Sequence, residues 1–122
     1  MRVLFAFVPL LALTAAALAD GPADAAARAA AEARIGNTVI ATDPDGTATH
    51  IYWRADGTFS AWRPDWKSEG KWFVKDGKLC LTYDLARPKM GESECMAHAA
   101  AHRVGDVWKT EDRTVTLASG RQ

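Results

Sequence analysis

The chain has no surplus of either charge: its 122 residues carry 15 Lys+Arg and 15 Asp+Glu. A nucleic-acid binder held by bulk charge is thereby excluded. At 48% hydrophobic residues the composition is also wrong for a disordered tail, and the length is wrong for a multi-domain enzyme. Cysteine is scarce, with Cys80 and Cys95 alone, so at most one pairing exists. Gly-x-Ser-x-Gly, HExxH and phosphate-binding glycine loops are all missing, and the reading is a non-enzyme with no cofactor. What the chain does have is tryptophan, five in all. Rings that large are costly to leave in water, and they point to a core or to a bound ligand.

The longest apolar run, Val3 to Leu13, follows Met1-Arg2 and precedes Ala17-Leu18-Ala19, the small-x-small form of a signal-peptidase site. A membrane span needs about 20 apolar residues, and Asp20 arrives too soon. Residues 1–19 are therefore read as a signal peptide cleaved near Ala19, which implies a periplasmic or secreted product without a stable membrane anchor. In that oxidising compartment Cys80 and Cys95 are expected to form a disulfide. Its loop of about 15 residues is worth roughly 3 kcal/mol by loop-closure entropy.

Residues 20–35, rich in alanine, with Pro22 early, Asp24 in the first turn and Gly36 at the end, predict a helix. Its apolar face is nearly all methyls, so it can lie close to a partner surface while burying little area. Residues 36–122 change to short runs rich in Val, Ile, Thr, Tyr, Trp and Phe, punctuated by Asp-Gly and similar pairs. Up to eight strands are expected, with one run spanning Glu94 to Arg103. A type I′ turn at Asp76-Gly77 pairs Val74 with Leu79 and Trp72 with Leu81, placing Phe73 and Cys80 on the opposite face. A two-residue turn at Asp56-Gly57 would put Ile51, Trp53, Ser60 and Trp62 on one face, and Tyr52, Arg54, Phe59 and Ala61 on the other. The expected fold is mainly β: a small antiparallel up-and-down barrel or meander of seven to eight strands with an N-terminal helix.

The series Gly36-Asn37-Thr38, Asp56-Gly57-Thr58-Phe59, Gly70-Lys71-Trp72, Leu79-Cys80-Leu81 and Cys95 resembles a group of small exported alphaproteobacterial proteins that carry domain-of-unknown-function labels. That resemblance implies a lipocalin-like barrel with an N-terminal helix and transfers no catalytic residue. A second resemblance, to bacterial metalloprotease inhibitors, rests on the order Gly70-Lys71-Trp72, Cys80, Cys95 and Trp108. Those inhibitors begin their barrel near the first Trp, whereas this chain has strands before it.

Cys80, Cys95, His98 and His102 have ligand types suited to tetrahedral zinc, but disulfide formation removes two of them. His98 and His102, with Met96, fall on one face of either a strand or a helix and remain candidates for copper or haem iron. With no third ligand, a solvated pair is the plainer reading. Asp43-x-Asp45-Gly46 opens like a calcium loop, yet Arg54 stands where the closing Glu should be, so it is read as a turn. The segment Trp62-Arg63-Pro64-Asp65-Trp66-Lys67 is read as a loop whose Trp66 either plugs the barrel end or stands at a binding mouth.

The function expected is a binding module for a small apolar or aromatic ligand, contacted by Tyr52, Trp53, Trp62, Trp66 and Trp72. The alternative is a protein-interaction or protease-inhibitor role toward an exported partner.

Overall fold

A computed structural model describes residues 21–122; the signal-peptide reading of residues 1–19 lies outside the described residues. The elements are a helix, α1 (Pro22–Arg34), and eight strands: β1 (Asn37–Thr42), β2 (Ala48–Trp53), β3 (Thr58–Arg63), β4 (Trp66–Lys75), β5 (Lys78–Arg87), β6 (Gly91–Met96), β7 (Val107–Thr110) and β8 (Arg113–Ser119). All pair antiparallel in one sheet of order β6-β5-β4-β3-β2-β1-β8-β7. The sheet curls into a half-barrel around a core of Val39, Ile51, Trp53, Phe59, Leu79, Leu81, Tyr83, Val115 and Leu117. Among the described residues its two edges, β6 and β7, form no ladder with each other.

The turns explain the register. Asp76 and Gly77 both have positive φ, as a type I′ turn demands, and Lys75 pairs with Lys78. Trp72 then lies opposite Leu81, Val74 opposite Leu79, and Phe73 opposite Cys80, as expected from the sequence. The β2–β3 connection departs from expectation. The Arg54 N–H donates to the Thr58 carbonyl at 2.9 Å, the Gly57 N–H reaches the Arg54 carbonyl at 3.3 Å, and Gly57 has φ +89°. The loop is thus three residues, Ala55-Asp56-Gly57, with the left-handed glycine that such loops require. Asp56 fixes it by accepting from the Thr58 N–H and hydroxyl, which together hold its carboxyl below the usual range. One extra loop residue slips the register by one and exchanges the faces of β3. Trp53 pairs with Phe59 and Ile51 with Ala61 inside, while Tyr52, Ser60 and Trp62 share the outside with His50.

Two further boundaries are corrected. The run expected from Glu94 to Arg103 is a strand only to Met96; residues 97–106 form a loop closed by the Asp106 carboxylate on the Arg103 N–H. The segment from Trp62 to Lys67 is not a loop: Trp62 lies near the end of β3 and Trp66 begins β4, joined across a two-residue turn in which Arg63 pairs with Trp66.

Helix α1 lies against β5, β1 and β4 with Ala27, Ala30, Ala31 and Arg34 buried. Small side chains permit this approach: Asp24 Oδ1 accepts the Gly77 N–H at 2.5 Å, and Ala23 packs where a Gly77 side chain would be. Gly36, at φ +79°, turns the chain from helix into β1. The Cys80–Cys95 disulfide forms between directly opposed residues of β5 and β6, Cα atoms 4.0 Å apart.

Candidate functional site

The inward faces of the sheet leave a cavity of about 380 Å³ that both edges line, Glu94 to Ala99 on the β6 side and Trp108 to Glu111 on the β7 side. Because β6 and β7 are unpaired, the cavity lies at the gap between them. Its aliphatic walls are Val39, Ala41, Ile51, Leu81 and Val115, all inward positions dictated by strand alternation. The volume lies near the lower end of the range for small-molecule sites, roughly 300–1,000 Å³.

One end holds a compensated polar cluster. A bulge between Thr82 and Arg87 frees Leu85 to solvent and leaves Arg87 only 3% exposed. Arg87 lies over the Tyr83 ring at 4.3 Å and pairs with Glu94 Oε1 at 2.8 Å. No Nη2 hydrogen is aimed at that oxygen, so the contact is ionic rather than directional. The Tyr83 hydroxyl donates to the same oxygen at 3.1 Å. Nearby, Arg113 is neutralised by Asp43 at 2.9 Å.

Burial, and behind it the Glu94 carboxylate, raise the Tyr83 hydroxyl above the ordinary phenol value, against the opposing influence of Arg87. The consequence has a definite sign. Above about pH 10 the unfolded phenol ionises while the native one keeps its proton, so the native state binds more protons and stability falls as pH rises. The parent should therefore lose stability relative to Tyr83→Phe between about pH 9 and 11, measured by urea unfolding. Parallel slopes would show that Tyr83 ionises freely in the fold.

The other end is different. Arg34, 4% exposed, projects from the last turn of α1 and places its guanidinium 5.7 Å from the Trp53 ring centroid and 5.9 Å from that of Trp108. Its Nη1 donates to the carbonyls of Ala30 and Ala100, tying the helix to the 97–106 loop. Desolvation lowers its pKa from the ordinary value to about 10.

Of the residues singled out from the sequence, Trp53 alone among the five aromatics lines the cavity. Trp72 points inward beneath Trp53 and donates its indole N–H to the Arg54 carbonyl. Trp66 packs on Tyr83 at 5.8 Å. Tyr52 and Trp62 are on the outer face, where Arg121 of the C-terminal tail covers both rings and His50 stacks on Trp62. His98 is exposed, while His102 stacks on Trp108 and approaches Asp106 at 3.6 Å. The segment is neither strand nor helix, so the periodicity that put Met96, His98 and His102 on one face does not apply. Among the described residues no three His, Cys, Asp or Glu side chains gather as a metal site.

Arg34, Trp108, Arg87 and Glu94 were not anticipated as site residues. A signal for Arg34 was present: Ala27, Ala30, Ala31 and Arg34 fall at i, i+3, i+4 and i+7, which is one helix face.

No protein-family model, curated protein or solved structure matches this chain. The functional reading rests on its own geometry.

Proposed function

We propose that this chain is an exported, non-catalytic binding module that takes a small apolar or aromatic ligand into the cavity between β6 and β7. The observation that carries this reading is the cavity itself. Its lining combines Val39, Ala41, Ile51, Leu81, Val115 and Trp53 with charged groups such as Arg34, Arg87 and Glu94, and the sheet stops short of closing, which gives a small molecule both an apolar surface and a way in. The signal-like leader and the Cys80–Cys95 disulfide support an oxidising, periplasmic or secreted setting.

A protein-interaction role, such as that of a protease inhibitor, is the second reading. It is favoured by Val107, 66% exposed on β7, an edge strand among the described residues, whose outer side could accept a strand from a partner.

Native mass spectrometry of the protein purified without reductant from the cell that makes it separates the two. The expected spectrum is a chain two hydrogens lighter than the reduced form with a small molecule retained. A ligand-free chain associated with a second protein would instead support the interaction reading.

A further inference from the structure

The cationic groups buried at the cavity are unevenly matched by counter-charges. Arg87 has Glu94 as its counter-charge, although its Nε and Nη2 lack hydrogen-bond acceptors, and Arg113 has Asp43. Arg34 has no carboxylate partner among the described residues: its hydrogen bonds go to two neutral carbonyls, and its Nε is buried without an acceptor. The Trp53 indole Nε1, on a residue that also lines the cavity, is likewise buried without one. Both groups can only donate, so neither can satisfy the other. A buried cation without a counter-charge and a buried N–H without an acceptor each lower stability unless something supplies the missing atoms. The indoles of Trp53 and Trp108 partly stabilise the guanidinium through their π faces but provide no lone pair in its plane.

The geometry points to a small amphiphilic monocarboxylate as the ligand, its carboxylate on Arg34 and the Trp53 indole N–H, its apolar body along Val39, Ile51, Leu81 and Val115. A planar carboxylate matches the guanidinium fork and supplies the acceptors that both donors lack. The aliphatic stretch of Val39, Ile51, Leu81 and Val115 suits an apolar body, which sets the ligand apart from a free phosphate. The inference rests on the cavity reading above and adds the head group to it.

The test is isothermal titration of the purified protein with octanoate, octan-1-ol and inorganic phosphate, repeated on Arg34→Met. Octanoate should bind at least about tenfold more tightly than octan-1-ol, phosphate should be far weaker, and R34M should bring octanoate and octan-1-ol to within about twofold. Equal binding of octanoate and octan-1-ol to the parent overturns the carboxylate assignment while leaving an apolar ligand in the cavity. Phosphate as tight as octanoate overturns the amphiphile. Binding of none of the three overturns this inference and removes the support for the cavity reading. NMR of the parent gives a readout that does not depend on R34M folding. The Arg34 Nε–H and Trp53 Nε1–H resonances should move with octanoate and stay in place with octan-1-ol; if octanoate leaves both unmoved, the carboxylate lies elsewhere and the assignment fails.

Discussion

Gly70→Ala is expected to destabilise the protein by about 3 kcal/mol or more, lowering Tm by roughly 15 °C. Gly70 sits in mid-strand between Phe59 on β3 and Tyr83 on β5, and the Phe59 ring lies in the space a side chain would occupy. A Cβ there would overlap both that ring and the Thr82 backbone carbonyl. The carbonyl cannot retreat without breaking the β4–β5 ladder, and the ring is held edge-on against Tyr83 at 4.9 Å. Glycine is thus demanded by space rather than by backbone conformation. Calorimetric melting measures the effect. A loss below about 1 kcal/mol would mean that Phe59 has room to move and that this layer of the core is loosely packed.

The second large effect concerns the edge of the sheet. Replacing both Cys80 and Cys95 by Ala should remove about 3 kcal/mol, the loop-closure value for a separation of 15 residues. Against a total stability of about 5–15 kcal/mol this is a large fraction. Its local consequence is more specific. Among the described residues strand β6 forms a ladder with β5 alone, so without the disulfide its remaining attachments there are that ladder and the Glu94 contacts with Arg87 and Tyr83. Hydrogen exchange should therefore accelerate most at residues 91–96 and least in β1 and β2, which are paired on both sides. Uniform acceleration across the sheet would show that the disulfide acts on the unfolded chain alone. Because β6 forms one wall of the cavity, the same variant should bind octanoate more weakly than the parent in the titration above.

The strand count, the meander, the disulfide and the helix were legible in the sequence because each depends on local pattern. Alternation, turn dipeptides and alanine content act within a few residues, and a chain with two cysteines has one way to pair them. The β4–β5 hairpin was legible to the level of individual pairs, since Asp76-Gly77 specifies its turn type. The β2–β3 hairpin was not. Asp56-Gly57 is compatible with either a two-residue or a three-residue loop, and the choice between them decides which face of β3 turns inward. The buried cluster of Ile51, Trp53, Phe59 and Ala61 selects the three-residue loop, and only long-range packing supplies that preference.

The same reason explains the site. Aromatic residues were the natural candidates, yet Tyr52 and Trp62 belong to the outer face because of that one-residue slip. Trp66 and Trp72 are placed by β4 into packing contacts with Tyr83 and Trp53. The sequence by itself determined which elements form, in what order, and where they are stapled, because those properties follow from nearest-neighbour chemistry. Only the tertiary structure decided that β6 and β7 stay apart, that a helix-borne Arg34 lies between Trp53 and Trp108, and that its charge has no counter-ion among the described residues. Those depend on how α1, the loop of residues 97–106 and two sheet edges meet, across separations as long as the 66 residues between Arg34 and Ala100.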